Sequence, residues 1–246
     1  MAAISAHAPR AGTIEAYARA LETGAEYVEF DIRRTADGEL AAFHDARTPQ
    51  GEALSAISYA RLCELAGYEV PRVAELMALI AGQATGHLDV KDVGGEERVV
   101  QMALDILGPG NFVVTTLEDE SVAAVKARFP QVPTALSLGR GLGQVPPSRW
   151  AATRLSELLP LRRIRACRAD WVAVNHRLAR AGVLAQCHQA GIKAMIWTVD
   201  EDAEMRRWLT DPRVTVLITN RPADAVALRA SLTQATLRIP AVPQAP

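Results

Sequence analysis

Residues 27–45, YVEFDIRRTADGELAAFHD, decide how this chain is read. Tyr27–Asp31 is a short strand-like run in which Glu29 and Asp31, spaced i, i+2, share one face. Asp37-Gly38 is a strong two-residue hairpin signal. Leu40–Phe43 then folds back antiparallel and does not continue a parallel sheet. With Asp37 and Gly38 as the turn, Ala36 pairs with Glu39, and counting outward sets Asp31 opposite His44. Directly opposed residues share a face. This register therefore predicts that Glu29, Asp31 and His44 meet on one side of the hairpin.

Outward from this hairpin, short apolar runs alternate with helical patterns. The expected parallel strands are Ala3–Ala6, Tyr27–Asp31, His87–Val90, Phe112–Thr115, Thr134–Ser137, Trp171–Val174, Lys193–Trp197 and Thr215–Ile218. Most are four to six residues long and apolar on both faces, as strands covered by helices are. The expected helices are Thr13–Thr23, Val73–Ala81, Glu96–Leu107, Glu118–Phe129, Ser148–Leu159, Arg180–Ala190, Ala203–Leu209 and Ala223–Leu232. Eight parallel strands alternating with helices predict a single α/β barrel of the TIM (β/α)8 type, with an extra antiparallel hairpin strand after strand 2. An open doubly wound sheet is the weaker alternative, because no Gly-rich phosphate loop follows the first strand. The barrel is expected over residues 1–234, with a Pro-rich, disordered tail at 235–246.

The bulk numbers agree with one such domain. The chain has 246 residues, 49% hydrophobic and 22% charged, and a net charge of -1. That balance excludes the basic excess of a nucleic-acid binder. Cys63, Cys167 and Cys187 are odd in number and form no metal spacing, which suggests free thiols in a reducing compartment. No signal segment and no membrane span are visible, so the expected location is cytoplasmic.

Barrels of this type carry their active sites at the C-terminal ends of the strands. The first strand ends at His7, the second carries Glu29 and Asp31, and the hairpin strand ends at His44-Asp45. A later strand carries Asp89 and ends at Lys91, and another ends at Trp197-Thr198. Three carboxylates in a dry site need a counter-charge. Oxygen ligands without paired His or Cys suit one divalent cation, Mg2+ or Ca2+, better than Zn2+. Such a cation is a Lewis acid for an anionic oxygen, and the expected one is that of a phosphate. His7 and His44 supply a base and an acid near neutral pH. The constellation is that of phosphodiester cleavage of a small molecule. The bland readings are a core histidine at His7 and a structural ion pair between Asp89 and Lys91. His87, His176 and His188 read as structural or solvent-facing. Gly139–Gly143 (GRGLG) is similar to a phosphate loop, and a flexible strand-to-helix loop explains it equally well.

These residues resemble the glycerophosphodiester phosphodiesterase family of the PLC-like phosphodiesterase superfamily. The family's Glu-x-Asp strand, Asp-Gly turn and His-Asp ending match Tyr27–Asp45. Its later motifs match Val70–Leu76, Leu88–Lys91, Trp197–Asp200 and Ile218–Pro222 in order. The resemblance implies a TIM barrel that hydrolyses glycerophosphodiesters to glycerol 3-phosphate and an alcohol. By position it implies metal binding by Glu29, Asp31 and Asp89 and catalysis by His7 and His44. It also implies phosphate contact by Lys91 and an apolar wall at Trp197. The chain departs from the family's His-Arg-Gly opening, with Ala8 and Pro9 after His7, and Arg10 is the candidate replacement phosphate ligand. The metal-site Glu is the shorter Asp89, a spacing shared with sphingomyelinase D-type phospholipases. Lysophospholipase D or sphingomyelinase D-like activity on choline lipids is thus one alternative. A non-catalytic phosphoester-binding barrel is the other.

Overall fold

In chain order the elements are β1 (Ala3–His7), α1 (Ile14–Glu22), β2 (Tyr27–Arg34), β3 (Leu40–Ala42), α2 (Tyr59–Ala66), α3 (Val73–Ile80), β4 (Thr85–Val90), α4 (Glu96–Ile106), β5 (Phe112–Thr116), α5 (Asp119–Arg128) and β6 (Thr134–Leu138). They continue with α6 (Trp150–Leu158), α7 (Leu161–Cys167), β7 (Trp171–Asn175), α8 (His176–Leu178), α9 (Leu184–Gln189), β8 (Lys193–Trp197), α10 (Asp202–Thr210), β9 (Val214–Thr219) and α11 (Pro222–Leu237). This computed structural model describes residues 1–7 and 12–237, so Arg10 and residues 238–246 of the expected tail lie outside the described residues. Eight strands pair in parallel in the order β1-β2-β4-β5-β6-β7-β8-β9, and β9 pairs back with β1 to close a TIM barrel. β3 is bonded to β2 outside the ring, as the hairpin reading expects.

Alternation along the strands sorts side chains to two sides. Val28, Phe30, Ile32, Leu88, Val90 and Val114 pack outward beneath the buried faces of α3, α4 and α5. Leu136, Val172, Val174, Ala194, Ile196 and Leu217 do the same on the other half of the ring. Inside the barrel, Val113, Ala135, Ala173, Met195, Val216 and Ile218 form a packed plug, with Tyr27 and Trp171 against it. The barrel is therefore a filled core with one polar end. All three cysteines are unpaired. No helix among the described residues is long and apolar enough to cross a membrane.

The hairpin register differs from the expected one by a residue. Ile32, Arg33 and Arg34 pair with Ala42, Ala41 and Leu40. Thr35 N donates to Glu39 O at 3.0 Å and Gly38 N to Thr35 O at 3.0 Å, with Gly38 at φ +87°. The loop thus holds three residues, Ala36–Gly38, a turn closed by a left-handed glycine. Asp37 fixes this form, because its carboxylate accepts from Thr35 Oγ1 at 2.6 Å and from Tyr59 N at 3.0 Å. Asp31 consequently lies opposite Phe43, whose N–H donates to Asp31 O at 3.0 Å, and not opposite His44.

Three helices, α2, α7 and the short α8, were not anticipated. α2 is capped by Ser58, whose side chain accepts from Arg61 N, and ends at the left-handed Gly67. With Ala41, Leu54, Ile57 and Val70 it forms a small satellite core beside β3. α7 follows α6 directly. The helix expected at Arg180–Ala190 is interrupted by Gly182, at φ +102°.

Candidate active site

Strand register brings the polar end together. His7 lies beside Glu29 in the β1–β2 pair, Glu29 beside His87 and Asp31 beside Asp89 in the β2–β4 pair, and Asp89 beside Thr115 in the β4–β5 pair. Adjacent strands are about 4.8 Å apart, so these inward side chains must touch. One carboxylate oxygen each from Glu29, Asp31 and Asp89 lies within 4.8 Å of the others.

His7 Nδ1 sits 2.9 Å from Glu29 Oε2. The Glu29 charge raises the His7 pKa to about 9 against the opposing effect of burial. Burial pushes the Glu29 carboxyl up, but His7 and the other positive groups outweigh it and bring its pKa to about 2. Burial also raises Asp31; Lys91 opposes that rise, and the charges on Glu29 and Asp89 add to it. Lys91 Nζ lies 2.8 Å from Asp31 Oδ1 and also pairs with Asp89. Burial works against the Lys91 ammonium, yet Asp89 and Asp31 hold it firmly protonated.

Two observations favour a cation here. Three carboxylates face two positive groups, His7 and Lys91, which leaves the cluster one charge short. Moreover, the buried atoms Glu29 Oε2 and Asp31 Oδ1 have no aligned hydrogen-bond donor among the described residues, although His7 and Lys91 are close. Hard oxygen ligands with spare lone pairs fit Mg2+ or Ca2+. The structural ion pair between Asp89 and Lys91 also exists, so that reading and the metal reading are not exclusive.

His87 takes the structural of its two expected places, not the solvent-facing one. β4 starts at Thr85, which puts His87 inside the strand, facing the barrel interior and 1% exposed. Thr115 Oγ1 donates to Asp89 Oδ1 at 2.9 Å and lies 3.0 Å from His87 Nε2. A hydroxyl has one proton, so Thr115 accepts from His87 Nε2–H. Burial lowers the His87 pKa and favours the neutral ring, whose bare Nδ1 accepts from Ser5 Oγ at 3.1 Å. A buried chain Ser5–His87–Thr115 thereby orients Asp89.

His44 reaches the same cleft by another route. The ladder ends before it, and Arg33 Nε donates to its carbonyl at 3.0 Å while Arg33 Nη1 pairs with Asp92 at 2.7 Å. The His44 side chain is 46% exposed, with Nδ1 2.8 Å from Asp45 Oδ1. Arg33 was missed by the sequence analysis, though it continues the Glu29, Asp31 alternation by one step.

The cleft has a volume of about 610 Å³ and is lined by all of these residues except Ser5 and Asp92. Its far wall is Trp197, whose Nε1 donates to Ala173 O at 3.0 Å, with Gly139–Gly141 beside it. Of the expected site residues, His7, Glu29, Asp31, His44, Asp89, Lys91 and Trp197 all line this cleft. A groove of about 860 Å³ lies outside the barrel along α4 and α5, remote from the carboxylate cluster.

Gly139 is needed where it stands. It has φ +125°, and an added Cβ would sit 2.6 Å from Asn175 Cβ and 3.0 Å from Trp197 Cζ2. Its N–H and that of Arg140 donate to the buried Glu157 at 2.9 and 2.7 Å. Gly139→Ala is expected to cost about 1–3 kcal/mol through backbone strain and overpacking. Thermal unfolding followed by circular dichroism checks this; an unchanged midpoint would mean that the loop relaxes freely.

Residues 5–224 match the model of the glycerophosphoryl diester phosphodiesterase family. The chain belongs to that family. Members are phosphoric diester hydrolases, and this chain is a glycerophosphodiester phosphodiesterase family enzyme. It is 24% identical over 238 residues to a glycerophosphodiester phosphodiesterase of Caldanaerobacter subterraneus subsp. tengcongensis, covering 88% of this chain and 90% of that one. Its fold is similar to a glycerophosphodiester phosphodiesterase of Parabacteroides distasonis, with TM-score 0.74, 17% identity and coverage of 95% and 98%. It is also similar to an Oleispira antarctica phosphodiesterase solved with the product sn-glycerol-3-phosphate, with TM-score 0.72, 15% identity and coverage of 92% and 96%.

Proposed function

We propose that this family member hydrolyses glycerophosphodiesters to glycerol 3-phosphate and an alcohol in the cleft between β1, β2, β4 and β8. The observation that carries this reading is the convergence of Glu29, Asp31 and Asp89, with one oxygen of each within 4.8 Å of the others, in a cleft that His7 and His44 also line. The product bound in the Oleispira relative supports the substrate class.

Glu29, Asp31 and Asp89 hold one divalent cation, Mg2+ or Ca2+, which when bound supplies Lewis-acid polarisation of the phosphate. Lys91, fixed between Asp31 and Asp89, adds positive charge on the phosphate side. His7, held by Glu29 at 2.9 Å, gives a proton to the departing alkoxide. His44, with Nδ1 held by Asp45, uses its other ring nitrogen to take the proton of the attacking oxygen, which belongs to water or to a neighbouring substrate hydroxyl; in the second case a cyclic phosphate forms first and water then opens it. Trp197 bounds the alcohol side. Arg10 is assigned to the phosphate from its sequence position alone.

The test is phosphodiester hydrolysis with Mg2+, Ca2+ or EDTA. The substrates are glycerophosphocholine, glycerophosphoethanolamine, lysophosphatidylcholine and bis(p-nitrophenyl) phosphate. Metal-dependent turnover of a glycerophosphodiester is the expected result. Turnover of lysophosphatidylcholine alone would transfer the assignment to choline lipids, and turnover undiminished by EDTA would remove the metal from it.

A further inference from the structure

α6 is built with its apolar face outward. Its one acidic residue, Glu157, is buried against the Gly139–Arg140 backbone and pairs with Arg154. The face turned to solvent carries Ala151 and Ala152, Leu155 at 60% exposure, and Leu159 at 59% just past the helix end. At about 100° per residue these four fall within a single arc of about 100°. Trp150, 42% exposed, opens the helix, and its Nε1 donates to Leu142 O and Val145 O in the loop that leads from the cleft wall.

The same segment concentrates charge. Residues 149–168 hold six arginines against one acid, a net charge of +5 in a chain whose total is -1. Arg154 and Arg163 pair with Glu157 and Asp119. Arg149, Arg162, Arg165 and Arg168 are exposed and form no ion pair among the described residues. The cavities of about 860, 610 and 310 Å³ are lined by none of Leu155, Leu159, Arg162, Arg165 and Arg168. The smallest of these is lined by Arg149, Thr153, Ser156 and Glu157, so it flanks the face without reaching the two leucines.

We propose that α6 and α7 form a docking face for an anionic lipid surface. Leu155, Leu159 and Trp150 enter the headgroup boundary while the four free arginines meet lipid phosphates. Outward leucines flanked by arginines and a tryptophan are the pattern of an interfacial helix. A second copy of the chain is a poor occupant, because a two-fold interface would set +5 against +5. An acidic protein satisfies the arginines but gives the outward leucines no specific receptor.

Co-sedimentation of the full chain with phosphatidylcholine vesicles, with and without phosphatidylglycerol, tests this at low and high salt. Binding is expected only with the anionic lipid, weakening as salt rises. The double substitution Arg162→Glu/Arg165→Glu is expected to weaken it by at least about 30-fold, roughly fivefold for each basic residue lost near the surface. Leu155→Ser/Leu159→Ser is expected to weaken binding and to abolish any lipid-induced blue shift of tryptophan fluorescence. Both variants should hydrolyse bis(p-nitrophenyl) phosphate as the parent does. Three results would overturn the proposal: no association of folded protein with anionic vesicles, association indifferent to the arginine reversal, or a sedimenting dimer that the leucine variant dissociates. Capture by soluble polyglutamate without vesicle binding would assign the face to an acidic protein instead.

Discussion

Replacing either His7 or His44 with alanine is expected to lower kcat for phosphodiester hydrolysis by about 10²–10⁴. The two sites predict different signatures. His7 is partly buried and tied to Glu29 at 2.9 Å, and in the proposed reaction its loss removes the proton for the leaving group. Substrates with good leaving groups need that proton least. His7→Ala should therefore retain much more activity on bis(p-nitrophenyl) phosphate than on glycerophosphocholine. His44 works on the attacking side, so His44→Ala should slow both substrates alike. The double variant should be little slower than the worse single one, because residues that act in one step are not additive. Steady-state kinetics on both substrates, with circular dichroism to confirm folding, checks this. Equal losses on both substrates for His7→Ala would exchange or dissolve the two roles.

The second large effect concerns Asp31→Asn. A cation worth about 4 kcal/mol of transition-state stabilisation corresponds to about 10³ in rate, and loss of one of three ligands should approach that figure. The stability effect runs the other way. Burial and the charges of Glu29 and Asp89 disfavour ionised Asp31, and Lys91 and His7 oppose them. Removing that charge relieves repulsion in the metal-free protein. Its unfolding midpoint should hold or rise, whereas the midpoint gained on adding Mg2+ or Ca2+ should shrink. Calorimetric titration of metal and thermal melts with and without EDTA measure both. Undiminished metal affinity in the variant would remove Asp31 from the ligand set. A falling apo midpoint would instead mark the Asp31–Lys91 pair as a structural contact.

The barrel was legible because eight short apolar runs alternate with helical patterns, and the hairpin reading kept Leu40–Phe43 out of the ring. The acidic triad was legible because i, i+2 spacing puts Glu29 and Asp31 on a shared face whatever the turn does, and Asp89 lies at the end of another barrel strand. The hairpin register was not, since a two-residue and a three-residue loop differ by the conformation of Gly38 and by the bond from Tyr59 N to Asp37, a residue 22 positions away. His44 reached the cleft all the same, but through Arg33 and the loop backbone rather than through ladder pairing. Of the two readings of His87, structural and solvent-facing, the structure bears out the first: it is buried beneath Asp89, as their i, i+2 spacing requires, and bonded to Ser5 and Thr115. α2 carried readable caps, Ser58 and Gly67, but only two of its residues, Tyr59 and Leu62, are buried, too few to show a period.

Closure of the ring by β1 against β9 has a consequence for biosynthesis. The residues assigned to the chemistry, His7 through Lys91, emerge from the ribosome in the first third of the chain, together with the β1–β2–β4 pairing that aligns them. The partner that covers the free edge of β1 begins only at Val214. At about 5–20 residues per second, β1 waits roughly 10–40 s with its amide edge open, and for about the last 6–25 s of that the carboxylates are gathered but unroofed. During translation, this interval is when the chain is most open to capture by a chaperone and to misplaced strand pairing, and it ends when the last strand arrives.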